Sequence, residues 1–259
     1  MKLVRYEWKK MMSGKVWLIL SAFLILNFCI YYVYLIPYIS YHQEALTEFS
    51  QSNYEQEYYE FIEGLKERAS VMNGISIFNK EGGYAKRNIE KTVNDFARVE
   101  GISIEPMIDS SMEALHSFYL SDVFMLLIVC LFCFQGCGKD FKSGMTDLIR
   151  TTPKGKMQIR LARIQAVICS VLLTGMILYG SNILLTGFSV GFGKISNYVQ
   201  GMPMFRNMSF PCTVGTYLLL FLIWKLAALI FTVLIIQFLT AWFGGQGISW
   251  VLSGIVLAV

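Results

Sequence analysis

The sequence predicts an all-α, polytopic helical membrane protein with an extracytoplasmic α-helical hairpin domain. Three observations predict it. Charge is missing over long runs: Val16–Ile36 holds 21 residues without one, and further runs cover Val123–Gly138, Ile164–Gly193 and Leu226–Gly247. A helix of about 20 apolar residues crosses the ~30 Å hydrocarbon core of a bilayer. Hydrophobic residues make up 55% of the chain, above the roughly 45–50% of soluble domains. The remaining charges are sorted by segment. Lys2, Arg5, Lys9, Lys10 and Lys15 precede the first run, opposed by Glu7 alone. Lys139, Lys142, Arg150, Lys154, Lys156, Arg160 and Arg163 lie between the second and third runs, opposed by Asp140 and Asp147. Residues 38–122 hold 15 of the 18 acids. A Lys/Arg excess marks cytoplasmic segments. The N-terminus and the 139–163 loop are therefore expected inside, and 38–122 outside, in a multi-pass protein of the plasma membrane.

Taken in order, residues 1–15 read as a short helix on the inner leaflet, because Leu3, Val4, Tyr6, Trp8, Met11 and Met12 are interleaved with bases. Residues 16–37 form the first span, closed by Pro37. Its apolar core is too long for the ~7–15 residues of a signal-peptide h-region. Residues 38–117 form the outer domain. Ser40-x-x-Gln43 offers a capping-box start, apolar residues from Leu46 to Met72 recur at three to five positions, and Asn73-Gly74 ends the first helix. After Gly82-Gly83 a second helix carries Ala85, Ile89, Val93 and Phe96 inward and ends by Gly101 and Pro106. Ser110-x-x-Glu113 starts a helix expected to run unbroken into the second span, 118–138, with Asp122 near the outer headgroups.

The 139–160 segment is a cytoplasmic loop and helix, and 161–188 is the third span, ending by the glycines of GFSVGFG. Residues 189–225 form an external loop with Pro203 and Pro211. Thr213 to Phe243 is apolar except for Lys225, too long for one straight crossing. Two readings compete. In the first, Val214–Trp224 is interfacial or re-entrant, Lys225 sits at the outer headgroups, and 226–243 crosses. In the second, one tilted helix carries Lys225 inside the bilayer, facing protein or a water-filled path, where a charge is functional by default. The first is favoured because Lys snorkels readily from a helix start. Gly244-Gly245-Gln246-Gly247 reads as a turn, and 248–259 as the incomplete start of a fifth span, so that the chain reads as a piece of a longer protein.

Chemistry of its own is not expected. There is no G-x-x-x-x-G-K-[ST] phosphate cradle, no H-E-x-x-H and no G-x-S-x-G. Cys130-Leu131-Phe132-Cys133 lies inside a span, outside any βαβ context, and the six cysteines read as small apolar packing residues. His42, His116 and the outer carboxylates lack metal-ligand spacing. Nothing points to nucleic acid.

The informative stretch is the inner loop, KDFKSGMTDLIRTTPKGKMQIRLARI after Gly138. Pro153 suits the first turn of a helix with Thr152 as N-cap. Asp140, Gly144, Leu148 and Pro153 follow one another at four, four and five residues, and Arg160 and Arg163 lie on the basic helix beyond. At these residues the chain resembles the permease subunits of type-2 ABC transporters. Their pattern is acid-x-x-x-G-x-x-x-L-x-x-[ST]-[ST]-P, a basic stretch, then [GA]-[KR]. It is matched by Asp140, Gly144, Leu148, Thr151, Thr152, Pro153, Ala162 and Arg163. Glu7-Trp8-Lys9-Lys10 is similar to that family's N-terminal segment. The resemblance covers 1–37 and 118–243 in layout and 138–165 in motif. The chain departs from the family in its larger outer hairpin and its incomplete last spans.

The resemblance implies a permease for a peptide or amphiphile, most simply an exporter. It implies a separate ABC ATPase subunit that binds ATP and magnesium, since this chain holds no cofactor. It implies a second permease half, identical or related. Asp140, Gly144, Leu148, Thr152, Pro153, Arg160 and Arg163 are then the ATPase-coupling residues. Lys225 and Asp122 are candidate pathway or interface charges. Two other readings stay open: a membrane-anchored sensor with a ligand-binding outer domain, and a secondary transporter using Lys225 or Asp122 as its coupling charge.

Overall fold

A computed structural model describes residues 2–12, 14–49, 54–75, 83–142 and 155–257. The regular elements among them are helical, with one isolated antiparallel bridge between Tyr198 and Thr213. In chain order they are α1 (Lys2–Met11), α2 (Gly14–Phe49), α3 (Tyr54–Gly74), α4 (Tyr84–Phe96), α5 (Ser110–Ser117), α6 (Leu120–Lys142), α7 (Gly155–Ser189) and α8 (Val214–Leu257). Four stretches are long and apolar enough to cross a membrane: Gly14–Ala45, Ser110–Cys133, Met157–Ser189 and Val214–Leu239. In the most apolar windows of the first and last of these, only 22% of residues are buried. Leu18, Ile25 and Val33 on α2, and Leu219, Phe231 and Phe238 on α8, are uncovered. A helix apolar inside and outside alike is stable where its solvent is lipid. The chain is an all-α membrane protein.

Three boundaries differ from those the sequence suggested. Pro37 does not close the first helix: α2 runs through it to Phe49. Proline removes one helical hydrogen bond, and the Ser40 hydroxyl donates to the carbonyls of Ile36 (3.2 Å) and Pro37 (3.1 Å), so Ser40 is a mid-helix residue and not a cap. The helix begun at Ser110 does not continue unbroken into the second span. It stops at Ser117 and restarts at Leu120, where the amides of Asp122 and Val123 donate to the Tyr119 carbonyl. At the break the Phe118 ring lies 4.8 Å from that of Tyr31 and 4.9 Å from that of Tyr34. Finally, α8 is one helix of 44 residues. The division expected at Trp224–Lys225, the turn at Gly244–Gly247 and a separate helix from Ile248 are absent. In water, Gly-Gly-Gln-Gly favours a turn. In lipid, every freed N–H and C=O costs several kcal/mol, which outweighs a glycine penalty of about 1 kcal/mol per residue.

The chain divides into two compact units. The first is Met1–Tyr34, Ser117–Leu185 and Phe221–Val259. Its core joins Leu20 of α2, Met125, Ile128 and Phe132 of α6, Val167 and Val171 of α7, and Val233 of α8. α1 packs against α6 and sends Met11 into the same core. α7 and α8 approach closely at Gly175, where a Cβ would stand 2.8 Å from Leu229 Cδ1.

The second unit is Leu35–His116 with Thr186–Leu220. α3 and α4 pack together over Tyr58, Ile62 and Val99. The 190–213 segment is ordered by backbone bonds from Val199 to Cys212 and from Val214 to Asn197 (both 2.9 Å), and Gln200 Nε2 donates to the Phe210 carbonyl at 2.6 Å. It starts at Gly191 and Gly193, whose φ of +90° and +66° favour glycine. The two stretches of this unit are tied directly. Met107 donates to Gly201 at 2.8 Å, Tyr54 to Gln200 at 3.1 Å, and Lys194 and Asn197 grip the Glu105 carboxylate. Those bonds hold the Glu105 carboxyl below the usual carboxylate range, while burial pushes the Tyr54 phenol up to about 12. The 38–117 hairpin and the 189–225 loop were expected as separate segments; the first, to His116, and the second, to Leu220, belong to one unit.

Candidate functional site

Within the first unit, two polar groups are bracketed by apolar residues on four helices. The inner one is a closed ring. Asn27 Nδ2 on α2 donates to Asn182 Oδ1 on α7 (2.9 Å), Asn182 Nδ2 donates to Ser121 Oγ on α6 (2.7 Å), and Ser121 Oγ donates to Asn27 Oδ1 (2.8 Å). All three residues are buried. A buried polar group without a partner costs several kcal/mol, so a ring in which each member both gives and takes fixes the register of three helices.

The second group adjoins it in sequence. Asp122 follows Ser121, and its carboxylate faces Lys225 of α8, with Nζ 2.9 Å from Oδ1 and 2.7 Å from Oδ2. The Tyr179 hydroxyl, one turn of α7 before Asn182, donates to Asp122 Oδ1 at 2.8 Å. Lys225 Nζ also lies 5.7 Å from the centroid of the Tyr179 ring and 5.6 Å from that of Phe221, within cation–π range. The pair is not sealed: the Asp122 side chain is 38% exposed and that of Lys225 27%.

The members of the ring stand at different points of their own apolar runs. Asn27 stands eleven residues after Val16 and nine before Ile36 in the charge-free run, about 16 and 14 Å at 1.5 Å per residue. Asn182 stands eighteen residues after Ile164 and eleven before Gly193, and Ser121 and Asp122 precede the run that opens at Val123. The expectation that Lys225 marks a helix start is not met: it lies eleven residues into the continuous helix α8. Lys225 faces protein, as the second of the two readings has it, with Asp122 and Tyr179 against it. Asp122, expected near the headgroups, pairs with it because a charge between apolar helices is tolerable only when neutralised.

The residues expected to couple to an ATPase are placed in part. Asp140 lies on the last turns of α6, and its side chain is outside the described part of the chain. Gly144, Leu148, Thr152 and Pro153 also lie outside the described residues. Arg160 and Arg163 stand on the second and third turns of α7, but they differ. Arg160 is exposed. Arg163 turns inward, its Nε 3.6 Å from Glu7 Oε2 of α1, with the Glu7 side chain only 6% exposed.

Asp122 and Lys225 were visible in the sequence as interruptions of apolar runs, though not as a pair. Asn27, Ser121, Tyr179, Asn182 and Glu7 were missed. The available signal was an amide well inside each of two charge-free runs, Asn27 and Asn182. His42 and His116 are satisfied locally, by Ser110 Oγ at 2.7 Å and by the Tyr217 hydroxyl at 2.8 Å. Among the described residues no cluster of three His, Cys, Asp or Glu side chains could hold a metal. The chain matches no protein-family model, no curated protein and no solved structure.

Proposed function

We propose that this chain is the membrane-spanning permease subunit of a type-2 ABC transporter, driven by a separate ATPase that docks on the 139–163 segment. The observation that carries the reading is the Glu7–Arg163 ion pair. The two stretches that resemble the family, Glu7–Lys10 and 138–165, are far apart in sequence. They are joined by this contact and by the packing of α1 on α6. A buried charge pair is strongly destabilised when one partner is removed, so a displacement of the loop is transmitted to α1, α6 and α7 together. Rigid-body rocking of packed helices is how a push at one face becomes a change of access at the other.

Two further features support the reading. The bonds between the 105–107 and 197–201 stretches bring the chain following α2 and the chain following α7 together. That agrees with crossings that alternate and with the acid-rich side being extracytoplasmic. The polar pair Asp122–Lys225 supplies a hydrophilic point on an otherwise apolar route. ATP and magnesium belong to the partner, and a second permease half completes the pathway.

The test is co-expression with the Walker-motif ATPase of a neighbouring reading frame. The two proteins should purify together, and Gly144→Leu or Pro153→Gly should lower transport-coupled ATP turnover at least tenfold. Turnover unchanged by both variants contradicts the docking role. A secondary transporter is the second reading, favoured by the same ion pair within a span. It requires uptake driven by an ion gradient with no ATPase present.

A further inference from the structure

We infer that the Asp122–Lys225 pair is the resting state of a binding site for a zwitterionic headgroup, one carrying a cation and an anion a few ångströms apart. The inference rests on the permease reading for its setting and names the substrate class of that pathway.

The argument is one of charge balance in a low dielectric. A ligand with one net charge entering between Asp122 and Lys225 neutralises one of them and leaves the other bare among apolar helices. That outcome is the one a membrane interior disfavours most strongly. A zwitterion can exchange with the existing pair one for one: its anion takes Lys225, its cation takes Asp122, and no charge is left alone.

The surroundings fit such an exchange. When Lys225 leaves Asp122, the carboxylate keeps the hydrogen bond from Tyr179. When Asp122 leaves Lys225, the ammonium keeps the Tyr179 and Phe221 ring faces. Each charge therefore has a second partner already in place, which lowers the barrier to opening. Both side chains are partly exposed, so the pair can be reached. The Asn27–Ser121–Asn182 ring beside it is fully paired and buried, and it holds α2, α6 and α7 in register while α8 carries Lys225.

The experiment uses the full chain in nanodiscs of phosphatidylglycerol, with no ATPase. Short-chain lipids of equal chain length bearing phosphocholine or phosphoglycerol heads are titrated in, and glycerophosphocholine is the chain-free zwitterion. Binding is read calorimetrically against empty discs. The phosphocholine lipid should bind at least tenfold more tightly than the phosphoglycerol lipid. Lys225→Arg should keep that preference within threefold. The double variant Asp122→Asn/Lys225→Met leaves no lone charge, so it should fold, and its preference should fall below twofold. Glycerophosphocholine binding as tightly as the lipid assigns the site to soluble zwitterions, and binding at least tenfold weaker assigns it to amphiphiles; either supports the site. Equal affinity for the two lipids in the unmodified chain, or a preference that survives in the double variant, overturns it. Because no ATPase is present, failure here is distinguishable from failure of the docking role, which is read by co-purification and turnover.

Discussion

Replacing Asp122 by Asn, or Lys225 by Met, is expected to lower the unfolding free energy by about 3 kcal/mol, whereas replacing both together should cost under about 1 kcal/mol. Either single change leaves one charge facing apolar helices with its counter-ion gone. The general range for such a loss is about 3–5 kcal/mol, and the lower end applies because both side chains are partly exposed. The double change removes both desolvation penalties along with the attraction. Tyr179 distinguishes the two single variants. In Asp122→Asn its hydroxyl can still donate to the oxygen of the new side-chain amide, so a lone Lys225 is the main loss there. In Lys225→Met the carboxylate keeps that hydrogen bond, and the damage should be the smaller of the two. Unfolding of the four proteins in one mild detergent, followed by circular dichroism, gives the cycle. Additive single effects would mean that the pair is not coupled in the folded protein.

The second large effect separates two arginines that the sequence treats alike. Arg160→Glu should leave stability within about 0.5 kcal/mol of the unmodified chain, as surface changes do. If the proposed function holds, it should weaken association with the ATPase at least tenfold, because Arg160 is exposed on the helix that leaves the proposed docking segment. Arg163→Ala should do the reverse. It leaves the Glu7 carboxylate, 6% exposed, without its nearby cation, and should cost about 2–3 kcal/mol before any effect on partner binding. Adding Glu7→Gln to Arg163→Ala should recover most of that stability. Arg163 then acts as a positioning residue that fixes α1 on the bundle, and Arg160 is the one presented to the partner. Pull-down with the ATPase and unfolding curves on the same preparations separate the roles. Loss of ATPase binding in Arg163→Ala at full stability would contradict the assignment.

What was legible in the sequence was what depends on composition along the chain. The apolar runs announce α2, α6, α7 and α8 because a bilayer demands about 20 residues without charge. The glycines at 74, 191 and 193 announce the ends of α3 and α7. What was not legible depends on the solvent or on a distant partner. Pro37 and the Gly244–Gly247 stretch read as breaks by rules learned in water, yet α2 and α8 run through them. The interruption at Phe118–Tyr119 carries no glycine or proline; its visible feature is the packing of Phe118 on Tyr31 and Tyr34.

The site divides in the same way. Asp122 and Lys225 stand out singly because charge is rare in such runs, but their pairing spans 103 positions and has no local trace. Asn27 and Asn182 are 155 positions apart, and each looks like an isolated amide until the helices are assembled. The motif 138–165 shows the opposite case. Its pattern is local in sequence, most of it lies outside the described residues, and the meaning proposed for it rests on a partner.

The most direct test of the account is cysteine labelling in intact cells. In a background with the native cysteines replaced, a single cysteine is placed by Lys154→Cys in the basic loop or by Tyr84→Cys at the start of α4, where Tyr84 is exposed. A membrane-impermeant maleimide should label position 84 in intact cells and position 154 only after the membrane is opened. Labelling of position 154 from outside would put the coupling segment on the wrong side for any ATPase and contradict the proposed function.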